Sequence, residues 1–156
     1  MFTVNKILGT AAIASAFFLL ARAESHTVVF ANNCGFGTPT LIQGPNALST
    51  GGTFTSNGPL DGAIAYLQTG GCGFNGEGCT LVELTLTNGF SSVDISLIPP
   101  HAFSVTSGFG YFDGCDGAGA DCTNPNCPTA FFQPGDNNVQ VGCPAANVNL
   151  AITFCD

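Results

Sequence analysis

From residue 24 onward the apolar positions fall in short runs that alternate with polar ones, and no stretch holds the spacing of a helical face. Gly and Pro recur too often for a long helix, so the runs read as strands separated by turns. The pattern predicts strands over residues 26–31, 53–55, 63–68, 80–87, 92–98, 102–105, 139–141 and 148–154, and loops over 34–50, 70–78 and 108–126. Many short strands joined by Gly-rich turns imply an all-β fold, a sandwich or a barrel.

The sharpest local signal is Asn88-Gly89, a dipeptide suited to a two-residue hairpin turn. With Thr87 facing Phe90, the register sets Leu84 opposite Val93, Val82 opposite Ile95, and Glu83 opposite Asp94. Val82, Leu84, Leu86, Val93, Ile95 and Leu97 then share one face, while Glu83, Thr85, Asp94 and Ser96 share the other. Directly opposed like charges destabilise a sheet unless a proton, a cation or a ligand relieves them. Two roles fit such a pair. One is glycoside hydrolysis, which needs one protonated and one ionised carboxyl; the other is simple hydration on an exposed face.

The first 23 residues stand apart from this pattern. Lys6 precedes an apolar run through Leu20, and Ala21-Arg22-Ala23 is a small-x-small cleavage site, so residues 1–23 are expected to be a signal peptide and residues 24–156 a single secreted domain. Its 133 residues are enough for a substantial core. Lys6 and Arg22 are the only Lys and Arg of the chain, so the formal net charge of −8 becomes −10 after cleavage. Nucleic acid and anionic membranes are excluded as partners on that ground. A neutral polysaccharide or a cationic partner stays open.

All eight cysteines lie after the cleavage site, and in an exported chain they read as four disulfides rather than metal thiolates, there being no C-x-x-C pair. Spacing leaves 105 pairings open. No Ser-His-Asp arrangement, phosphate-binding loop or cofactor motif is present, and no cofactor or metal is expected. Asp113, Asp116 and Asp121 do not follow the spacing of a Ca²⁺ loop. Phe36, Phe74, Phe109, Tyr111 and Phe112 fall in predicted loops, where rings either stack on sugars or close the ends of the sandwich. His26 and His101 read as hydrogen-bonded surface residues.

The order of segments resembles the thaumatin-like proteins, in particular a compact fungal secreted type. HTVVFANNC (26–34), TLVELTL (80–86), SVDISLIPPHAFSV (92–105), CPTAF (127–131) and VNLAITFC (148–155) carry the likeness, which spans nearly the whole mature chain. It implies a single disulfide-stapled antiparallel β-sandwich paired Cys34–Cys155, Cys72–Cys79, Cys115–Cys143 and Cys122–Cys127. It also implies a monomer outside the cell or in the cell wall, binding β-1,3-glucan or another fungal wall polysaccharide, with antifungal activity in some members and weak endo-β-1,3-glucanase activity in others.

In that family the activity sits in an acidic cleft, and Glu83 and Asp94 match two of its carboxylates. The cleft's Arg has no counterpart here, and Pro99 replaces a further Asp. The cysteine-rich second domain shrinks to Thr123-Asn124-Pro125-Asn126. Asp113 and Asp116, with Asp121, are the expected substitute rim, and Tyr111 and Phe112 the expected sugar-stacking rings. A secreted effector that binds a host or competitor protein is the remaining reading.

Overall fold

Strict alternation shapes the last strand: Leu150, Ile152 and Phe154 are buried, while Asn149, Ala151 and Thr153 are only partly so. The same period governs residues 81–86, where Val82, Leu84 and Leu86 turn into the core. Such half-buried strands require a second layer to cover their apolar face. A computed structural model describes residues 23–156 and supplies it; residues 1–22, and with them nearly all of the expected signal peptide, lie outside the described residues.

Twelve strands form: β1 (His26–Asn32), β2 (Thr38–Gln43), β3 (Asn46–Thr50), β4 (Phe54–Ser56), β5 (Leu60–Gln68), β6 (Leu81–Leu86), β7 (Ser91–Ser96), β8 (Ser107–Phe112), β9 (Gly119–Cys122), β10 (Ala130–Phe131), β11 (Val141–Cys143) and β12 (Asn149–Phe154). The only helical element among the described residues is a 3-10 turn at Asn137–Val139. One sheet runs β4-β1-β12-β8-β9; the other runs β10-β7-β6-β5-β2-β3, with β11 also on β7. Of the sandwich or barrel that the strand pattern left open, the sandwich that the resemblance implies is present. Its sheets are mixed rather than purely antiparallel, because β1 lies parallel to β12 and β10 parallel to β7.

The main core lies between the sheets, with Val28, Leu150, Ile152 and Phe154 of one meeting Leu41, Val82, Leu84, Val93 and Ile95 of the other. A smaller cluster of Ile42, Tyr66, Cys79 and Leu81 occupies the outer face of the second sheet, where the Cys72–Cys79 loop covers it and Tyr66 Oη donates to the Phe74 carbonyl at 2.8 Å. The four disulfides are Cys34–Cys155, Cys72–Cys79, Cys115–Cys143 and Cys122–Cys127.

Several strand and loop boundaries differ from the sequence pattern. The expected loop 34–50 contains the β2–β3 hairpin, turned at Gly44 and Pro45, which read as breakers. The expected loop 108–126 contains β8 and β9. Their glycines look like loop composition but serve close approach, since a Cβ on Gly119 would collide with the Phe109 carbonyl. Residues 102–105, expected as a strand, are irregular. Thr80 takes their hydrogen bonds instead, its Oγ1 accepting from Ser104 N at 2.9 Å and donating to the Val105 carbonyl at 3.0 Å. Residues 139–141 split between the end of the 3-10 turn and the start of β11.

Candidate functional site

The β6–β7 hairpin has the register read from Asn88-Gly89: Val82 pairs with Ile95, Glu83 with Asp94, and Leu84 with Val93. Gly89 sits at φ 119°, and the Thr87 hydroxyl closes the turn on the Phe90 carbonyl at 2.9 Å. Glu83, Thr85, Ser92 and Asp94 consequently share the outer face of the second sheet, beside Ile64 of β5, which pairs with Glu83.

A bulge in β5 opens the surface next to them. Leu60 pairs with Leu86 and Ala63 with Leu84, so Asp61 and Gly62 together face Thr85. Gly62 takes the left-handed conformation (φ 59°) that such a bulge requires, and its N–H donates to Thr85 Oγ1 at 3.0 Å. The result is a groove of about 270 Å³ lined by Gly62, Ile64, Glu83, Thr85, Asp94 and Gln140, with Ser92 also on its wall.

The two carboxylates are not equivalent. Asp94 is 7% exposed, while Glu83 is half-buried. Gln140 Nε2 donates to Asp94 Oδ1 at 3.4 Å, but Asp94 Oδ2 is buried without a partner, as is Ser92 Oγ. Burial, and after it the negative charge of Glu83, push the Asp94 carboxyl up to about 7; the Gln140 amide pulls the other way without offsetting them. Near neutrality the groove therefore holds one carboxyl with its proton partly retained beside another carboxylate, a hydrogen-bond donor next to an acceptor.

Two groups at this site were not in the sequence reading. Gln140 is brought in only because β11 pairs with β7, a long-range contact with no local signal. Phe90 is 61% exposed, and its ring lies where a Cβ on Gly142 would be, with Gly142 paired to Ser92. Its position just after the Asn88-Gly89 turn could have flagged it.

The other expected site residues lie elsewhere, and none of Asp113, Asp116, Tyr111 or Phe112 lines the groove. Tyr111 corrects the expectation of a stacking ring: it is 3% exposed in β8, packs edge-on against Phe109 and donates its hydroxyl to the Val141 carbonyl at 2.9 Å. β8 lies between β12 and β9, so alternate residues of this strand point into the sandwich. Phe109 is buried for the same reason, and Phe112 is half-buried. Asp113 and Asp116 are exposed. Asp113 accepts from Asn149 Nδ2 at 2.9 Å and borders a separate hollow of about 670 Å³ with Ser25, Thr27 and Asn147, whereas Asp116 accepts from the Gly114 N–H at 3.3 Å. Phe36 and Phe74 are exposed.

His26 is fully buried rather than at the surface. It begins a strand flanked on both sides, and its ring nitrogens meet the Val148 carbonyl at 2.7 Å and Glu24 Oε1 at 3.1 Å. His101 Nδ1 is 3.0 Å from the Gly76 carbonyl.

No family model matches the chain. Curated relatives do. The chain is 28% identical over 159 residues to thaumatin-like pathogenesis-related protein 4 of Avena sativa, across 86% of this chain and 90% of that one. It is 29% identical to thaumatin-like pathogenesis-related protein 2 of the same plant, across 89% and 95%. Among solved structures, the thaumatin-like xylanase inhibitor TLXI superposes with a TM-score of 0.51 at 17% identity, covering 84% of this chain and 99% of that one. The protein elicitor MoHrip2 from Magnaporthe oryzae gives the same score and identity, covering 86% and 100%. At that identity the two structures speak to the fold alone. The likeness in sequence runs through most of the chain and coincides with a shared architecture, so the chain is similar to thaumatin-like proteins in sequence and in fold.

Proposed function

We propose that this protein acts outside the cell by binding a fungal wall polysaccharide, β-1,3-glucan or a related polymer, without strong catalysis. The observation that carries the reading is the groove over β5, β6 and β7, where Asp94, Glu83, Ser92, Thr85 and Gln140 present hydroxyl-seeking donors and acceptors, with the exposed ring of Phe90 packed on Gly142, the strand partner of Ser92. Sugars are bound by that combination, hydrogen bonds to hydroxyls together with a flat apolar face against the pyranose ring. The expected signal peptide and the four disulfides support an extracellular setting. No helix among the described residues is long and apolar enough to cross a membrane.

The test is co-sedimentation of the oxidised mature protein with insoluble β-1,3-glucan, with released oligosaccharide assayed in the supernatant. Native protein is expected to deplete from solution without releasing sugar. Phe90→Ala is expected to weaken depletion about tenfold by losing stacking, while leaving stability nearly unchanged because the ring is exposed. Full retention of native protein in the supernatant would overturn the reading.

A second reading, weak endo-β-1,3-glucanase activity, is favoured by one observation: the raised Asp94 carboxyl directly opposite Glu83. Asp94 would give its proton to the departing glycosidic oxygen while the Glu83 carboxylate takes a proton from the water that bonds to the anomeric carbon from the opposite face. Sugar release by native protein, abolished by Glu83→Gln, would select this reading. The third, interaction with a protein, draws on the two structural neighbours, a xylanase inhibitor and a protein elicitor. A protein that neither sediments with glucan nor releases sugar would move the weight there.

A further inference from the structure

The groove is anionic and supplies no cation of its own, since the chain has no Lys or Arg after Arg22. Glu83 and Asp94 face each other across one register position, and Asp94 Oδ2 is buried with no hydrogen-bond donor. A second oxygen of the same wall, Ser92 Oγ, is buried and unpartnered as well. Buried polar atoms normally find partners, so two unpartnered oxygens beside a half-buried carboxylate, one of them a carboxyl oxygen that becomes a full acceptor once Asp94 ionises, mark a place for a ligand that donates. A neutral hydroxyl gives one hydrogen bond and leaves Asp94 dependent on its own proton to relieve the repulsion from Glu83. A divalent metal ion would have to complete its shell largely with water, since no three His, Cys, Asp or Glu side chains gather around one point among the described residues. A primary ammonium fits both demands: it has three N–H donors and one positive charge, for three acceptors and two carboxylates.

We infer that the groove takes a 2-amino sugar with its amine free, a deacetylated hexosamine unit of a polysaccharide, its ammonium seated on Asp94 Oδ2, Ser92 Oγ and the Glu83 carboxylate and its ring against Phe90. This rests on the reading of the groove as a polysaccharide site and narrows it to a cationic sugar. Phe90 separates this ligand from a lone Lys or Arg side chain, since only a sugar brings a pyranose face with the charge. Seating the ammonium favours the ionised form of Asp94, so binding expels a proton to solvent in the pH range where the free protein holds one.

The experiment is calorimetric titration of the oxidised mature protein with three hexamers: β-1,4-linked glucosamine, the same oligomer fully N-acetylated, and β-1,3-linked glucose. Buffers of different ionisation heat at about pH 6 and about 0.15 M salt report the proton count and hold long-range attraction down. The glucosamine hexamer is expected to bind at least tenfold more tightly than its acetylated counterpart, with proton release. Glu83→Gln and Asp94→Asn are each expected to cost at least tenfold, and Asp156→Asn, which removes the same charge from an exposed position elsewhere, less than twofold. Equal losses in all three variants would reduce the effect to diffuse attraction and overturn the inference, as would equal binding of the acetylated oligomer. Binding of the glucose hexamer with no preference for glucosamine would overturn this inference while leaving the polysaccharide reading intact. No binding of any hexamer would remove both.

Discussion

Asp94 is where the molecule departs furthest from what a carboxylate ordinarily tolerates. Its native form holds a proton up to about pH 7, whereas the unfolded chain releases it near the ordinary value of 3.8. Between those limits the native state binds more protons than the unfolded state, so this residue's contribution to stability falls as pH rises through the window and levels off above it. Asp94→Asn removes the ionisation while keeping the shape. The variant is expected to match the native protein at pH 4 and to exceed it by about 1–2 kcal/mol at pH 8, with allowance for solvent screening. Urea melts at the two pH values check this; equal differences at both would mean that Asp94 ionises freely. A stabilising substitution in a groove wall fits the view that the native side chain is kept for binding rather than for the fold.

At the scale of elements, the β6–β7 hairpin and the β5 bulge together make the groove. The hairpin depends on Gly89, whose φ of 119° is strained for any side chain although a Cβ there would meet only open space. Gly89→Ala is therefore expected to cost about 1–2 kcal/mol through backbone conformation alone, seen as a lower urea midpoint with an unchanged m value. The same turn is tied to neighbouring segments, with Asn88 N–H donating to Glu24 Oε1 at 2.5 Å and Asn147 N–H donating to Asn88 Oδ1 at 2.6 Å. The hairpin was legible because its information is local: a turn dipeptide sets the register, and period-2 alternation sets the faces. The β2–β3 hairpin and the β8–β9 pair were not legible, because Gly44, Pro45 and the glycines of 108–119 read as punctuation. Only the neighbouring strands show that these residues serve turns and close packing.

At the scale of the whole molecule, Cys34–Cys155 joins the first strand to the last over a sequence separation of 121 residues, while Cys122–Cys127 closes a separation of 5. In the chain-entropy account the long link restricts the unfolded chain by about 5 kcal/mol and the short one by about 2 kcal/mol. Replacing both cysteines of the long link by Ala is thus expected to cost more than twice what the same replacement costs at the short one, measured by denaturant unfolding of the two double variants. The parallel β1–β12 pair lies beside this link, so much of the sandwich depends on contacts between the two ends of the chain. The sequence by itself determined the strand-rich class, the buried faces of β6, β7 and β12, and the opposition of Glu83 to Asp94, since each depends on side-chain alternation or on one turn. The likeness to known segments added the disulfide pairing, which spacing had left open. Tertiary structure alone decided that Tyr111 is buried, that Gln140 borders the groove, and that one carboxylate loses its water while its partner keeps part of its own. Those outcomes depend on which strands pack together across the fold, and burial is a property of that packing rather than of any residue's neighbours in the chain.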